Sequence, residues 1–263
     1  MDWSEAVHKA YACLELERRI VGINLFAAKE DFDAAQGKHP VTDMNYCQAI
    51  AAATNGHCIK LEYRTFRCQG GLKALGVSHE DPLNSHGENW CRIGLYDGPE
   101  RSREIREGLD FLRQDTFGVQ ISPAESLTNA PDVAIVVGTP YVMMRVSQGY
   151  AYHHGFPKSL RFIGNQAFCV ECTTRPYITD DINFSMLCIG TRHQAQWKDY
   201  EAAVGMPGKM FSVVVDGIWQ TVNIMENDEN KAKIGSKADA AGLDLSVRYH
   251  YNYYMDTQYP LKK

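Results

Sequence analysis

Eight cysteines carry most of the chemistry that this 263-residue sequence offers. They make up too small a fraction for a disulfide-stapled mini-protein. The acidic start, Met1-Asp2-Trp3-Ser4-Glu5, lacks the positive-then-apolar layout of a secretory leader, so thiols in a reducing compartment are expected. Such thiols serve as small buried hydrophobes, metal ligands or reactive groups. Four share a local pattern. Cys47 and Cys169 each follow an aromatic residue, Tyr46 and Phe168, while Cys68 reads Cys-Gln-Gly and Cys188 reads Cys-Ile-Gly. Cys47 and Cys68 are 21 positions apart, Cys169 and Cys188 19. Each pair follows a strand-like run, at 21–26 and at 133–137. The repetition hints at an internal duplication in which each half supplies two thiols.

Four thiolates suit an iron–sulfur cluster or tetrahedral zinc. Zinc sites usually pair two C-x-x-C knuckles, whereas only Cys169-Val170-Glu171-Cys172 has that spacing here. Dispersed cysteines beside glycines favour the cluster. Gly70, Gly71 and Gly190 are expected to bring backbone N–H groups close to sulfur with no Cβ in the way. Arg192 lies four residues after Cys188, and on a helix it would share that face and offset cluster charge or hold an anion. Its bland alternative is a solvated surface arginine. Glu171 is a candidate proton donor. Cys172 is a spare thiol, a replacement ligand or a nucleophile. Cys13, Cys58 and Cys91 read as structural thiols. His153 and His154 point to different faces, with surface placement the default.

Stepping outward, the elements that must position these groups follow from periodicity. Residues 3–20 place apolar side chains, Cys13 among them, on one helical face. Val21–Phe26 reads as a strand, Cys47–Ala53 as a helix stopped by Asn55-Gly56, and Cys58–Phe66 as a strand. Leu72–Leu75 reads as a turn of helix, 79–98 as a long loop, and Pro99 as opening a helix carrying Ile105, Leu109 and Leu112. Val133–Val137 is continuously apolar, as in strands buried on both faces. With Gly138-Thr139-Pro140 and a helix over 141–147, it suggests an α/β unit with its ligand side at the strand's carboxyl end. Met143 and Met144 read as core filler.

At these residues the chain resembles domain-of-unknown-function family 169, an uncharacterised family of archaeal and anaerobic bacterial proteins. The matching pieces are Val-Gly-Ile-Asn-Leu at 21–25, Cys47 with its alanine-rich helix, and Cys68-Gln-Gly-Gly with Leu75-Gly76. They continue with Val136-Val137-Gly-Thr-Pro, Cys169 and Cys188-Ile-Gly-Thr-Arg192, within roughly residues 15–210. The resemblance implies no activity. It implies that Cys47, Cys68, Cys169 and Cys188 belong to the shared pattern and that Cys13, Cys58, Cys91 and Cys172 do not.

The expected architecture is α/β or α+β, with two related halves, 15–123 and 124–225, each a small sheet with helices. They pack into one unit over 1–225, and residues 226–263 form a polar extension with a Tyr-rich end (Tyr249, Tyr251, Tyr253, Tyr254). The expected function is that of a cytoplasmic iron–sulfur protein of an anaerobe. It would hold one [4Fe–4S] cluster and act as an oxidoreductase or an electron-transfer component. The alternatives are a small-molecule binding module with structural zinc or no metal, and a cysteine-nucleophile enzyme using Cys172 or Cys169. A small-molecule substrate or a redox partner protein is implied, and assembly into a homo-oligomer is left open. A net charge of −5, from 27 basic and 32 acidic side chains, argues against generic nucleic-acid binding. Apolar runs as short as Val133–Val137 argue against a membrane span. No Walker loop, Gly-x-Gly-x-x-Gly or Gly-x-Ser-x-Gly pattern is present.

Overall fold

A computed structural model describes residues 1–80 and 85–245. Helix α1 (Trp3–Cys13) is capped by the Asp2 side chain, which accepts from the Glu5 N–H, and it buries Ala6, Val7, Ala10 and Cys13. Strand β1 (Val21–Phe26) follows, then α2 (Lys29–Ala34), α3 (Tyr46–Thr54) and β2 (Ile59–Glu62). Next come α4 (Gln69–Ala74), α5 (Glu88–Arg92), α6 (Gly98–Glu107) and β3 (Gly118–Pro123). Strand β4 (Val133–Gly138) leads into α7 (Pro140–His154), where Thr139 caps the start and proline opens the first turn. A π-helix (Ala167–Thr174) runs into α8 (Arg175–Thr179), followed by β5 (Asn183–Ser185), α9 (Ile189–Ala195) and β6 (Ala202–Pro207). Helices α10 (Gly208–Gln220), α11 (Val222–Met225) and α12 (Asp228–Ala240) end the described chain.

The strands form one six-stranded sheet in the order β2-β3-β1-β4-β6-β5, with every pairing antiparallel. The expectation of mixed helix and strand is met, but the parallel β4 unit is not. In the register, β4 runs antiparallel to both neighbours, with Val21 opposite Ile135 and Val133 opposite Pro207. Its unbroken apolar run has the cause ascribed to parallel strands, since helices cover both faces. Ala134 and Val136 join α1, α7 and α10 in one core. Val133, Ile135 and Val137 join Ile50, Leu72, Phe168 and Trp197 in the other. Helices α7 and α10 approach closely because Gly149 and Gly217 face each other, where a Cβ on Gly217 would stand 2.1 Å from the Gly149 carbonyl oxygen.

Strands β1 and β4 meet at the centre of the sheet. Outward from that seam the order is β1-β3-β2 on one side and β4-β6-β5 on the other, so connection order repeats across it. Residue 226 does not open a detached extension. The Glu226 carboxylate is buried against Arg145, with Nε to Oε1 at 2.7 Å, and Arg145 also donates to Gln148, Thr221 and the Ile218 carbonyl. Helix α12 packs its Ile234 and Ala238 into the core beside α1. A hydrophilic run hid this contact because only one face of α12 is apolar. The tyrosines at 249–254 lie outside the described residues. The expected loop at 79–98 contains α5, where Trp90 is buried and meets Tyr96 edge-on. Helix α6 stops at Glu107, before Leu109 and Leu112. Among the described residues no helix is long and apolar enough to cross a membrane.

Candidate metal centre

The four patterned cysteines lie on four segments packed on one face of the sheet. Cys47 is the second residue of α3, Cys68 is the N-cap of α4, Cys169 is the third residue of the π-helix, and Cys188 is the N-cap of α9. Helix α3 lies between β1 and β2 and the π-helix between β4 and β5. Cys68 follows β2 as Cys188 follows β5. The aromatic residue before each helical cysteine acts as an anchor. Tyr46 and Phe168 are both buried in the same core, Tyr46 stacked near Phe66 and Phe168 against Trp197 at 4.9 Å between ring centres. The Tyr46 hydroxyl pairs with Thr173 Oγ1 at 3.0 Å, tying α3 to the π-helix. Asn45 and Gln48 donate to the side chain and carbonyl of Gln194 at 2.6 and 3.1 Å, tying α3 to α9.

Each thiol remains half-buried, and each has polar groups against its sulfur. The Gly71 N–H points to Cys68 Sγ at 3.5 Å. The Cys169 thiol donates to Gln166 Oε1 at 3.2 Å, and Cys188 Sγ lies 3.0 Å from Thr191 Oγ1. Backbone N–H groups of Gln48 and Val170 face the sulfurs of Cys47 and Cys169. Unpaired N–H groups at helix starts supply such donors. Burial pushes the Cys47 thiol up to about 12, and the neighbouring Cys188 and Cys68 sulfurs push in the same direction. Cys169 is raised well above its ordinary value by burial, then by Cys68, Cys188 and Cys47. Cys169 therefore lies within electrostatic reach of the other three sulfurs, and Cys47 within reach of Cys68 and Cys188, where like charge opposes ionisation. Among the described residues no group of three or more His, Cys, Asp or Glu side chains is arranged to hold a metal ion.

Of the three glycines, Gly71 places its N–H on a sulfur, that of Cys68. A Cβ on Gly70 would stand 2.7 Å from Gln166 Nε2, so its absence admits the amide that holds Cys169. Gly71 supplies the N–H to Cys68 and lies against Tyr46. At Gly190 the single group within 4 Å of such a Cβ is Cys188 Sγ, at 4.0 Å. Two features escaped the sequence reading. The π-helix has no periodic signature that distinguishes it from an ordinary helix, although such segments recur at functional sites. Gln166 and Leu187, just before Cys169 and Cys188, hold left-handed backbone at φ 58° and 64°. Non-glycine residues adopt that conformation at a cost, and such strain concentrates at functional sites.

The other candidates have different roles. The Arg192 guanidinium donates to the carbonyls of Met186, Lys198 and Glu201, with Nη2 at 3.0 and 2.9 Å from the first and last. It clamps the loops flanking α9 and does not reach out as an anion-binding fork. The Glu171 carboxylate accepts from the N–H groups of Ile163 and Gly164 at 2.7 and 3.1 Å and from the Ser185 hydroxyl. Burial raises its pKa, partly offset by the Ser185 hydrogen bond. Cys172 is fully buried in the core, raised well above the ordinary thiol value by burial and then by Glu171. That environment suits packing and opposes a nucleophilic thiolate. Its carbonyl rests on Gly205, where a Cβ would come within 1.9 Å. Cys13 is buried in the opposite core, and Cys58 lies 2.8 Å from Ser122 Oγ. His153 pairs with Asp216 at 2.8 Å, and His154 stacks on Tyr150.

A family model, DUF169, described as uncharacterised ArCR, matches residues 11–217. An uncharacterised protein of Methanocaldococcus jannaschii is 24% identical over 226 residues, covering 83% of this chain and 95% of its own length. No solved structure matches.

Proposed function

For a chain that belongs to the DUF169 family, we propose an iron–sulfur protein whose single [4Fe–4S] cluster is held by Cys47, Cys68, Cys169 and Cys188. The observation that carries this reading is that Cys169 lies within electrostatic reach of Cys47 and Cys68, which precede it by more than 100 residues, and of Cys188. Without a cation, Cys47 and Cys169 are unfavourable as thiolates, because burial and the neighbouring sulfurs both oppose their charge. A cationic cluster offsets that repulsion, and ligation removes their protons. The donor set fits: four soft sulfurs, with backbone N–H groups near three of them. When bound, a cluster with four protein thiolates exchanges single electrons, so electron transfer or an oxidoreductase activity is the proposed role. The repeated connection order supports an origin by duplication, with Cys47 corresponding to Cys169 and Cys68 to Cys188.

Chemical analysis of anaerobically reconstituted protein tests the reading. About four irons and four sulfides per chain are expected, with a visible band that bleaches on reduction. Ser at any of the four positions should remove most of the iron, whereas Ser at Cys13, Cys58 or Cys91 should retain it. One zinc per chain with no sulfide would overturn the proposal.

A further inference from the structure

We infer that the cavity between α6 and the π-helix binds a short-chain monocarboxylate, with the carboxylate held by Arg161 at the cavity mouth. The cavity encloses about 110 Å³. Given about 30 Å³ for one water, that is room for about four water-sized groups, enough for a short alkyl chain whose carboxylate sits at the mouth. Ile105, Leu109, Phe162, Ile163 and Val170 form apolar walls. Short apolar walls with a few charged groups characterise small-molecule sites.

The charge balance selects an anion. Three carboxylates line the cavity, and each is already engaged. Asp110 pairs with Arg175, Glu104 with Arg101, and Glu171 accepts from Ile163, Gly164 and Ser185. The Arg161 backbone is fixed to the Asn183 side chain by hydrogen bonds of 2.9 and 3.0 Å, but its guanidinium has no ion pair among the described residues. The guanidinium lies over Gly108, where a Cβ would stand 2.9 Å from Arg161 Nη2. Arg175 lines the same cavity, but its guanidinium is committed to Asp110 and Ser159. An amine would meet only carboxylates that are already engaged, whereas a carboxylate gains the planar fork of Arg161.

Calorimetric titration of the full chain with butyrate, butanamide and butylamine tests the inference. Butyrate is expected to bind, with the isosteric amide and the amine at least about tenfold weaker, since charge-assisted hydrogen bonds exceed neutral ones. Arg161→Gln should weaken butyrate by about tenfold or more, and Ile105→Trp should abolish binding by filling the cavity. Thermal melts of both variants would show that they remain folded. None of the residues used is one of the four cysteines, so the result should be the same with and without reconstituted iron. Failure of the iron analysis would therefore leave this inference standing. Absence of butyrate binding, equal affinity for butanamide, or an unchanged Arg161→Gln affinity would overturn it.

Discussion

Cys13 shows how a single thiol can report on burial. Its pKa is pushed up to about 12, chiefly by burial; Arg145 opposes the shift and Glu226 adds to it. The raised value means that the folded chain keeps a proton that the unfolded chain loses near 9. Stability from this group is therefore present below about pH 9 and lost as pH rises toward 12, by up to about 1.4 kcal/mol per pH unit. Thermal melts of metal-free protein between pH 8 and 10.5 should fall, and Cys13→Ala should make that fall shallower. An equally steep decline in the variant would remove Cys13 from the explanation. Arg192 carries a different expectation. Lysine keeps the charge but cannot donate in a plane to three separate carbonyls. Arg192→Lys should cost about 1–2 kcal/mol in denaturant unfolding. It should also loosen iron at Cys188 after reconstitution. An unchanged midpoint would mean that the clamp adds nothing in solution.

Among the elements, the π-helix has the most to lose. It carries Cys169 toward the other thiols and buries Phe168, Glu171 and Cys172 on its remaining sides. Its back rests on β6 with no space between them, since the Cys172 carbonyl lies over Gly205. Gly205→Ala must displace backbone and cannot be absorbed by a side-chain rotation. A loss of about 3 kcal/mol is expected in equilibrium unfolding, together with weakened iron binding through Cys169. A variant with wild-type stability would show that the π-helix can shift freely. The thiol-bearing segments α3 and α9 are joined by side-chain hydrogen bonds through Gln194, which add to the burial of Tyr46, Ala49, Ile50 and Ala53 in holding α3.

At the scale of the molecule, one sheet with a core on each face divides the work. One face gathers Cys47, Cys169 and Cys188, and the other anchors α1, α7, α10 and α12. The Arg145–Glu226 pair fastens the end of that second layer, with both side chains fully buried. Glu226→Gln leaves the guanidinium charge in the core without its counter-ion, and about 3–5 kcal/mol should be lost. Denaturant unfolding measures this directly. A loss below about 1 kcal/mol would mean that water reaches Arg145 in the variant. Because the proposed thiol site lies on the other core, iron content per folded chain should be unaffected.

Local sequence determined a good deal. Val21–Phe26 is a strand because its apolar residues sit between polar turns, and it was legible to the residue. Helix α3, the proline-marked starts of α6 and α7, and the buried β4 were readable from propensity, capping and apolar runs, but α6 stops before Leu109 and α7 runs on to His154. The pattern around Cys47, Cys68, Cys169 and Cys188 could be read because an aromatic anchor before a cysteine and glycine after one are local features. Strand direction was not, since an apolar run buried on both faces is the same in parallel and antiparallel sheets. Only the tertiary fold turned Arg192 onto backbone carbonyls, sealed Cys172 in the core and joined Glu226 to Arg145. Each of those outcomes depends on partners supplied by other segments of the chain. The sequence marked the residues able to carry chemistry, and packing decided which of them face one another.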